Sequence, residues 1–140
     1  MRCMSLTISA AICAAFLAGA PRPPAAQPAP AEARPTLLLR EIVTGMPRGE
    51  HQEIQVLTAT IVPGQTTVFH THAFPVTVHV LEGTFTLEME GRPTAIVQAG
   101  QSLVEPPNVR MTGYNRGAGP LRVLIVYVAD PGTPFLHPVH

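Results

Sequence analysis

Lysine is absent from this 140-residue chain: all nine basic side chains are arginine, and nine acidic ones balance them to a formal net charge of zero. Beyond the first thirty residues the arginines are scattered, at Arg34, Arg40, Arg48, Arg92, Arg110, Arg116 and Arg122. They form no basic stripe that could track a phosphate backbone, which excludes nucleic acid as the expected partner. Cysteine is as scarce. Cys3 and Cys13 both lie in an N-terminal leader, so the rest of the chain has no disulfide and no thiolate metal ligand, and its fold must rest on its core. No apolar run reaches the ~18 residues of a membrane-spanning helix, so the mature domain is expected to have none. No serine or cysteine sits in a recognisable nucleophile motif.

The leader has the order of parts of a secretory signal. Arg2 precedes a mostly apolar run from Leu6 to Leu17, and Ala18-Gly19-Ala20 supplies a small-residue cleavage site. Residues 1–20 are therefore read as a signal peptide, which predicts an exported protein, periplasmic or secreted. Pro21 impedes cutting directly after Ala20, and Ala29-Pro30-Ala31 offers a later site that would move cleavage to 31–33. From Pro21 to Thr36, six of sixteen residues are proline and almost none is bulky. That composition cannot build a core and reads as an extended spacer. Residues 37–140 are left as one domain, large enough to bury roughly two-thirds of its unfolded surface.

Within the domain the periodicity is two. In Thr84–Glu90, Phe85, Leu87 and Met89 share one face, with threonine and glutamate on the other. Similar runs occupy 54–62, 66–72, 76–81 and 121–128. Turn signals separate them at Pro63-Gly64, Glu82-Gly83, Gly91-Arg92-Pro93, Ala99-Gly100, Gly117 to Pro120 and Asp130-Pro131-Gly132. Sustained helical periodicity is missing. The pattern predicts an all-β sandwich or barrel.

The segment with chemistry in it is Gly64-Gln65-Thr66-Thr67-Val68-Phe69-His70-Thr71-His72. On a strand His70 and His72 point the same way, about 6–7 Å apart at the backbone, which suits two adjacent positions on one metal ion. Imidazole accepts zinc, copper, iron and nickel alike. A polar pair lining a metal-free pocket is the plainer reading of the same spacing.

The surroundings resemble the two motifs of the cupin superfamily. Gly64, His70, His72 and Gly83 fall at the spacing of the first motif, and Gly100, Pro106 and Asn115 at that of the second. The resemblance covers 64–115 and implies a single jelly-roll β-barrel, a small-molecule pocket and a homodimer. It also implies which residues depart from the pattern. Val76 stands where the family has a metal-binding glutamate, Asn108 where it has a glycine, and Met111 where it has the second-motif histidine. Valine cannot bind metal, and a thioether is a soft ligand that favours copper(I).

The residues assigned to the pocket are accordingly His70, His72, Met111, Glu105 and Val76, with His70, His72 and Met111 as the candidate metal set for copper or another transition metal. Glu105, just before Pro106, is a carboxylate that could reach the pocket, although an exposed loop position is the expected one because glutamate is rarely buried unpaired. His79, three positions from Val76, is expected on the outer face. His137 and His140 belong to a proline-rich extension expected to pack over the barrel or a neighbouring subunit. The first functional expectation is an exported module that binds a small ligand without a redox metal. The alternatives are a metal-dependent enzyme of dioxygenase or isomerase type, or a copper-binding protein. No residue is assigned a catalytic role.

Overall fold

The computed structural model describes residues 32–140, so the signal peptide and spacer residues 21–31 lie outside the described residues. The alternating segments form antiparallel strands in two sheets. Strand β1 (Glu53–Ile61), β8 (Leu121–Ala129), β3 (Val76–Glu82) and β6 (Ser102–Glu105) lie side by side in that order in the first sheet. Strands β5 (Ala95–Gln98), β4 (Thr84–Met89), β7 (Met111–Tyr114), β2 (His70–Thr71) and β9 (His137–Pro138) make the second. Among the described residues there is no helix. The chain is all-β, as its periodicity predicts.

Alternation decides which side chains the sheets enclose. Along β3, Val76, Val78 and Val80 are buried while Thr77 and His79 turn outward. On β8, Leu121, Val123, Tyr127 and Ala129 point inward. From the second sheet Phe85, Leu87, Val97 and Met111 meet them. Each fully buried large apolar side chain contributes about 1.5–3 kcal/mol, and the twelve buried residues of this cluster, aliphatic and aromatic, are the core of a domain without cysteine.

The expected strands at 54–62, 76–81, 84–90 and 121–128 all form, within a residue or so of their predicted ends. Strand 66–72 does not form as a whole. Only His70–Thr71 pairs as a strand, with an isolated bridge between Thr66 and Tyr114. The reason is local: the Val68 carbonyl accepts from the His70 ring and the Thr67 hydroxyl. The turns behave as their residues require. Gly83, between β3 and β4, has φ +81°, and a Cβ there would lie 2.7 Å from the Pro120 carbonyl oxygen. Asn115 closes the turn before β8, its amide donating to the carbonyls of Ile61 at 2.7 Å and Gly119 at 2.9 Å.

Candidate metal centre

Strand β2 is short, but it carries the chemistry. It pairs with β7 on one side, where His70 stands opposite Met111, and with β9 on the other, where His70 stands opposite Pro138 and Thr71 opposite His137. His70 and His72 both point into the barrel, with 4% and 1% of their surface exposed. Their Nε2 atoms lie 3.0 Å apart. Each ring is fixed from behind. His70 Nδ1 is 2.6 Å from the Val68 carbonyl oxygen, and His72 Nδ1 is 2.6 Å from that of Phe135. A carbonyl can only accept, so both Nδ1 atoms donate and both Nε2 atoms present lone pairs inward.

The third donor is Glu105. Its Oε2 lies 3.1 Å from His72 Nε2, and the ligand atoms of His70, His72 and Glu105 all fall within 4.8 Å of one another. The expectation of an exposed loop position for Glu105 is therefore corrected: it ends strand β6 and is 5% exposed. Cross-strand register explains how. Val76 on β3 pairs with Glu105 on β6, so the carboxylate missing at Val76 arrives from the strand next to it, on the same inner face. Val76 itself is completely buried in the core.

Three electron-rich atoms converging in a buried site repel one another unless a cation lies among them. Burial is the main cause holding the His70 imidazole below its ordinary pKa, with the nearby His72 acting in the same direction. Burial thus disfavours a proton on His70, and a metal ion is the occupant that the three donors suit. Two nitrogens bound at about 2.1 Å would stand about 3.0 Å apart at the right angle of octahedral coordination and about 3.4 Å apart at the tetrahedral angle, and the two Nε2 atoms are 3.0 Å apart. Carbonyl-anchored imidazoles are also the usual outer-shell arrangement of metal-ligating histidine. The buried His70, His72 and Glu105 group could hold a metal ion.

His72 is reached through His70 and Glu105, which line a cavity of about 330 Å3. Its walls are apolar, including Ile61, Val78, Phe85, Val123 and Ile125, and Phe135 and Leu136 close it from the C-terminal segment. Among the described residues no arginine lines it, and Glu105 is the only carboxylate that does. Met111 is fully buried beside His70 on the adjoining strand.

Two features of the surroundings escape sequence reasoning. Phe135 anchors His72 through a main-chain oxygen, which no side-chain pattern signals, and its ring packs 4.9 Å from the His72 ring. Tyr127, opposite Val76 on β8, stacks 5.6 Å from Phe135 and has a buried hydroxyl. The remaining histidines lie elsewhere: His79 is on the outer face, bonded to the Ser102 hydroxyl at 2.8 Å, and His137 is exposed on β9.

Comparison with known proteins agrees with this architecture. No curated protein matches the sequence. Among solved structures, a Klebsiella pneumoniae protein with a double-stranded β-helix domain superposes with TM-score 0.55 at 20% identity, covering 78% of this chain and 99% of that one. An RmlC-like cupin family protein from Methanocaldococcus jannaschii gives 0.52 at 22% identity, covering 56% of this chain and 72% of that one. Oxalate decarboxylase from Bacillus subtilis gives 0.54 at 20% identity over 61% of this chain but only 24% of its own. DMSP lyases are similar at 0.54 and 17% identity, this chain covering 62% of its own length and 44% of theirs. Such likeness speaks for the fold alone. The family model of the cupin domain matches residues 57–127, just over half of the sequence, and the chain belongs to the cupin family.

Proposed function

We propose that this chain is an exported metalloprotein that binds a small, largely apolar, oxygen-bearing organic molecule at a metal ion held by His70, His72 and Glu105. The observation that carries the reading is the pair of Nε2 atoms 3.0 Å apart, each imidazole locked by a carbonyl behind it. Two imidazoles and one carboxylate with positions left open are the donor set of metal sites that activate substrates. A divalent ion there supplies Lewis acidity toward a carbonyl or activates a bound water. The protein's part is to present the three donors, exclude bulk water with apolar walls, and admit a ligand whose body matches those walls. This favours a metal-dependent enzyme over the metal-free binding module, because Glu105 fills the place that the loss at Val76 left open. Export rests on the leader sequence.

Metal titration tests the reading. Purified protein should take up one equivalent of zinc or iron, and Glu105→Gln, which keeps the shape and removes the charge, should weaken binding by at least the ~10–100-fold that loss of an outer-shell partner costs, because Glu105 is itself a ligand. Stoichiometric uptake by His70→Ala/His72→Ala protein would refute it.

One observation favours a second reading. Met111 lies directly opposite His70 in the sheet and is fully buried, so its thioether would complete a His70, His72, Met111 set for copper(I). Met111→Leu keeps the volume and removes the sulfur, and equal copper(I) affinity in the two proteins would eliminate this ligand.

A homodimer is the proposed assembly. Its support is the exposed apolar surface at Ile54 and Val56 of β1 and at Leu37, Leu38 and Ile42. Light scattering that gives the monomer mass at micromolar concentration would count against it.

A further inference from the structure

The last residues of the chain make two kinds of contact at the centre, and both end at the same histidine pair. Strand β9 is the edge of the second sheet and pairs only with β2, the strand that carries His70. Beyond it, the Val139 amide donates to the Phe69 carbonyl at 2.9 Å. Before it, the Phe135 carbonyl holds His72 Nδ1, and Phe135 and Leu136 form part of the cavity wall.

This segment is lightly fastened. Pro134 and Pro138 have no amide hydrogen to give to a ladder. His137 and Pro138 are exposed. It is reached through Asp130-Pro131-Gly132, where Gly132 has φ +78°, a left-handed conformation suited to glycine. The other walls named above lie on β1, β3, β4 and β8, strands of six to nine residues. The strap 134–139 is held by the two-residue β2–β9 pairing, the Val139–Phe69 bond and the Phe135–His72 bond.

We propose that the C-terminal strap 134–139 is a positioning element of the metal site, and that docking of the strap and occupation of the site are energetically coupled. The inference rests on the metal reading given above. With the strap docked, Phe135 fixes His72 as the Nδ1–H tautomer and aims Nε2 at Glu105 and His70. With it undocked, His72 loses its anchor and its orienting ring contact, and the cavity opens. The ligand enters by that route. Coupling is reciprocal: whatever factor docking adds to metal affinity, metal adds to the docking equilibrium.

The test follows the strap and the metal in the full-length protein. Hydrogen exchange at the Val139 amide should slow at least tenfold when zinc is added. The turn amide of Gln101, bonded to the Gln98 carbonyl and outside the β2–β9 pairing, should change much less. Truncation after Pro134, which removes the strap and the Phe135 anchor, should lower zinc affinity by the same factor that zinc slows exchange, on the ~10–100-fold scale of a lost outer-shell partner. Val139→Pro, which deletes only the bond to Phe69, should speed its neighbours' exchange and lower zinc affinity by no more than that factor. Unchanged Val139 exchange in protein that binds zinc, or unchanged zinc affinity on truncation, overturns the coupling and leaves the metal site standing. No zinc uptake by the wild type defeats both.

Discussion

At the scale of single residues, Asn108 shows how a departure from a motif is accommodated. The cupin pattern has glycine there, and the backbone has φ 59°, in the left-handed region where a Cβ costs about 1–2 kcal/mol. Asparagine tolerates that region better than other side chains do. Its backbone N–H donates to the His72 carbonyl at 2.8 Å, so the conformation ties the loop between Glu105 and Met111 to the histidine segment. Asn108→Ala should therefore lose about 1–2 kcal/mol, whereas Asn108→Gly should be near neutral. Denaturant midpoints decide it: equal losses in both variants would mean that the Asn108 side chain, not its backbone, is what matters. Glu105 teaches the complementary lesson. The sequence displays it as a carboxylate near the second motif, but its burial depends on register with Val76, 29 positions earlier. No local pattern carries that pairing. His70 and His72 were legible because an i, i+2 pair in an extended segment needs only a period of two, even where the strand ends at Thr71.

At the scale of elements, legibility followed length. The strands of six to nine residues that alternate cleanly, β1, β3, β4 and β8, were all foreseen. Strands β5, β6 and β7 have only four residues each, and β9 two. Alternation over so few residues does not stand out, and their pairing with distant strands is what makes them strands. Strand β7 owes its position to Gly113. It pairs with Leu87, its amide donates to the Thr67 hydroxyl at 2.9 Å, and the Phe85 ring packs directly against its Cα. A methyl group at that position would run into the ring, and Phe85 is also a wall of the cavity. Gly113→Ala should destabilise by about 1–3 kcal/mol through overpacking. Adding Phe85→Leu should recover part of that loss, because the two changes share a contact and are not additive. Additive losses in thermal melts would show that the ring is not the obstacle.

At the scale of the whole molecule, the buried His70 of the candidate metal site should contribute to how stability depends on pH. Burial lowers the pKa of His70 from its ordinary 6.5, so in metal-free protein the unfolded chain takes up a proton at His70 before the folded chain does. The sign follows. Above pH 6.5 both states leave His70 neutral, and it adds no pH dependence. As pH falls through 6.5, the proton bound by the unfolded state favours unfolding, and the loss levels off only below the folded value. Other groups titrate in the same range, so the informative quantity is the difference between wild type and His70→Gln, which remains neutral throughout. In chelator-treated samples the wild type should lose stability relative to His70→Gln between pH 7.5 and 5, with the gap opening near pH 6.5. Saturating zinc should raise the wild-type midpoint by mass action and should protect least at the acid end, where protons compete for the same Nε2 lone pair. A wild type that gains stability over His70→Gln on acidification would show that His70 takes a proton more readily folded than unfolded. The three converging donors would then be a proton trap shared with Glu105, and the case for a metal ion between them would fall with that result.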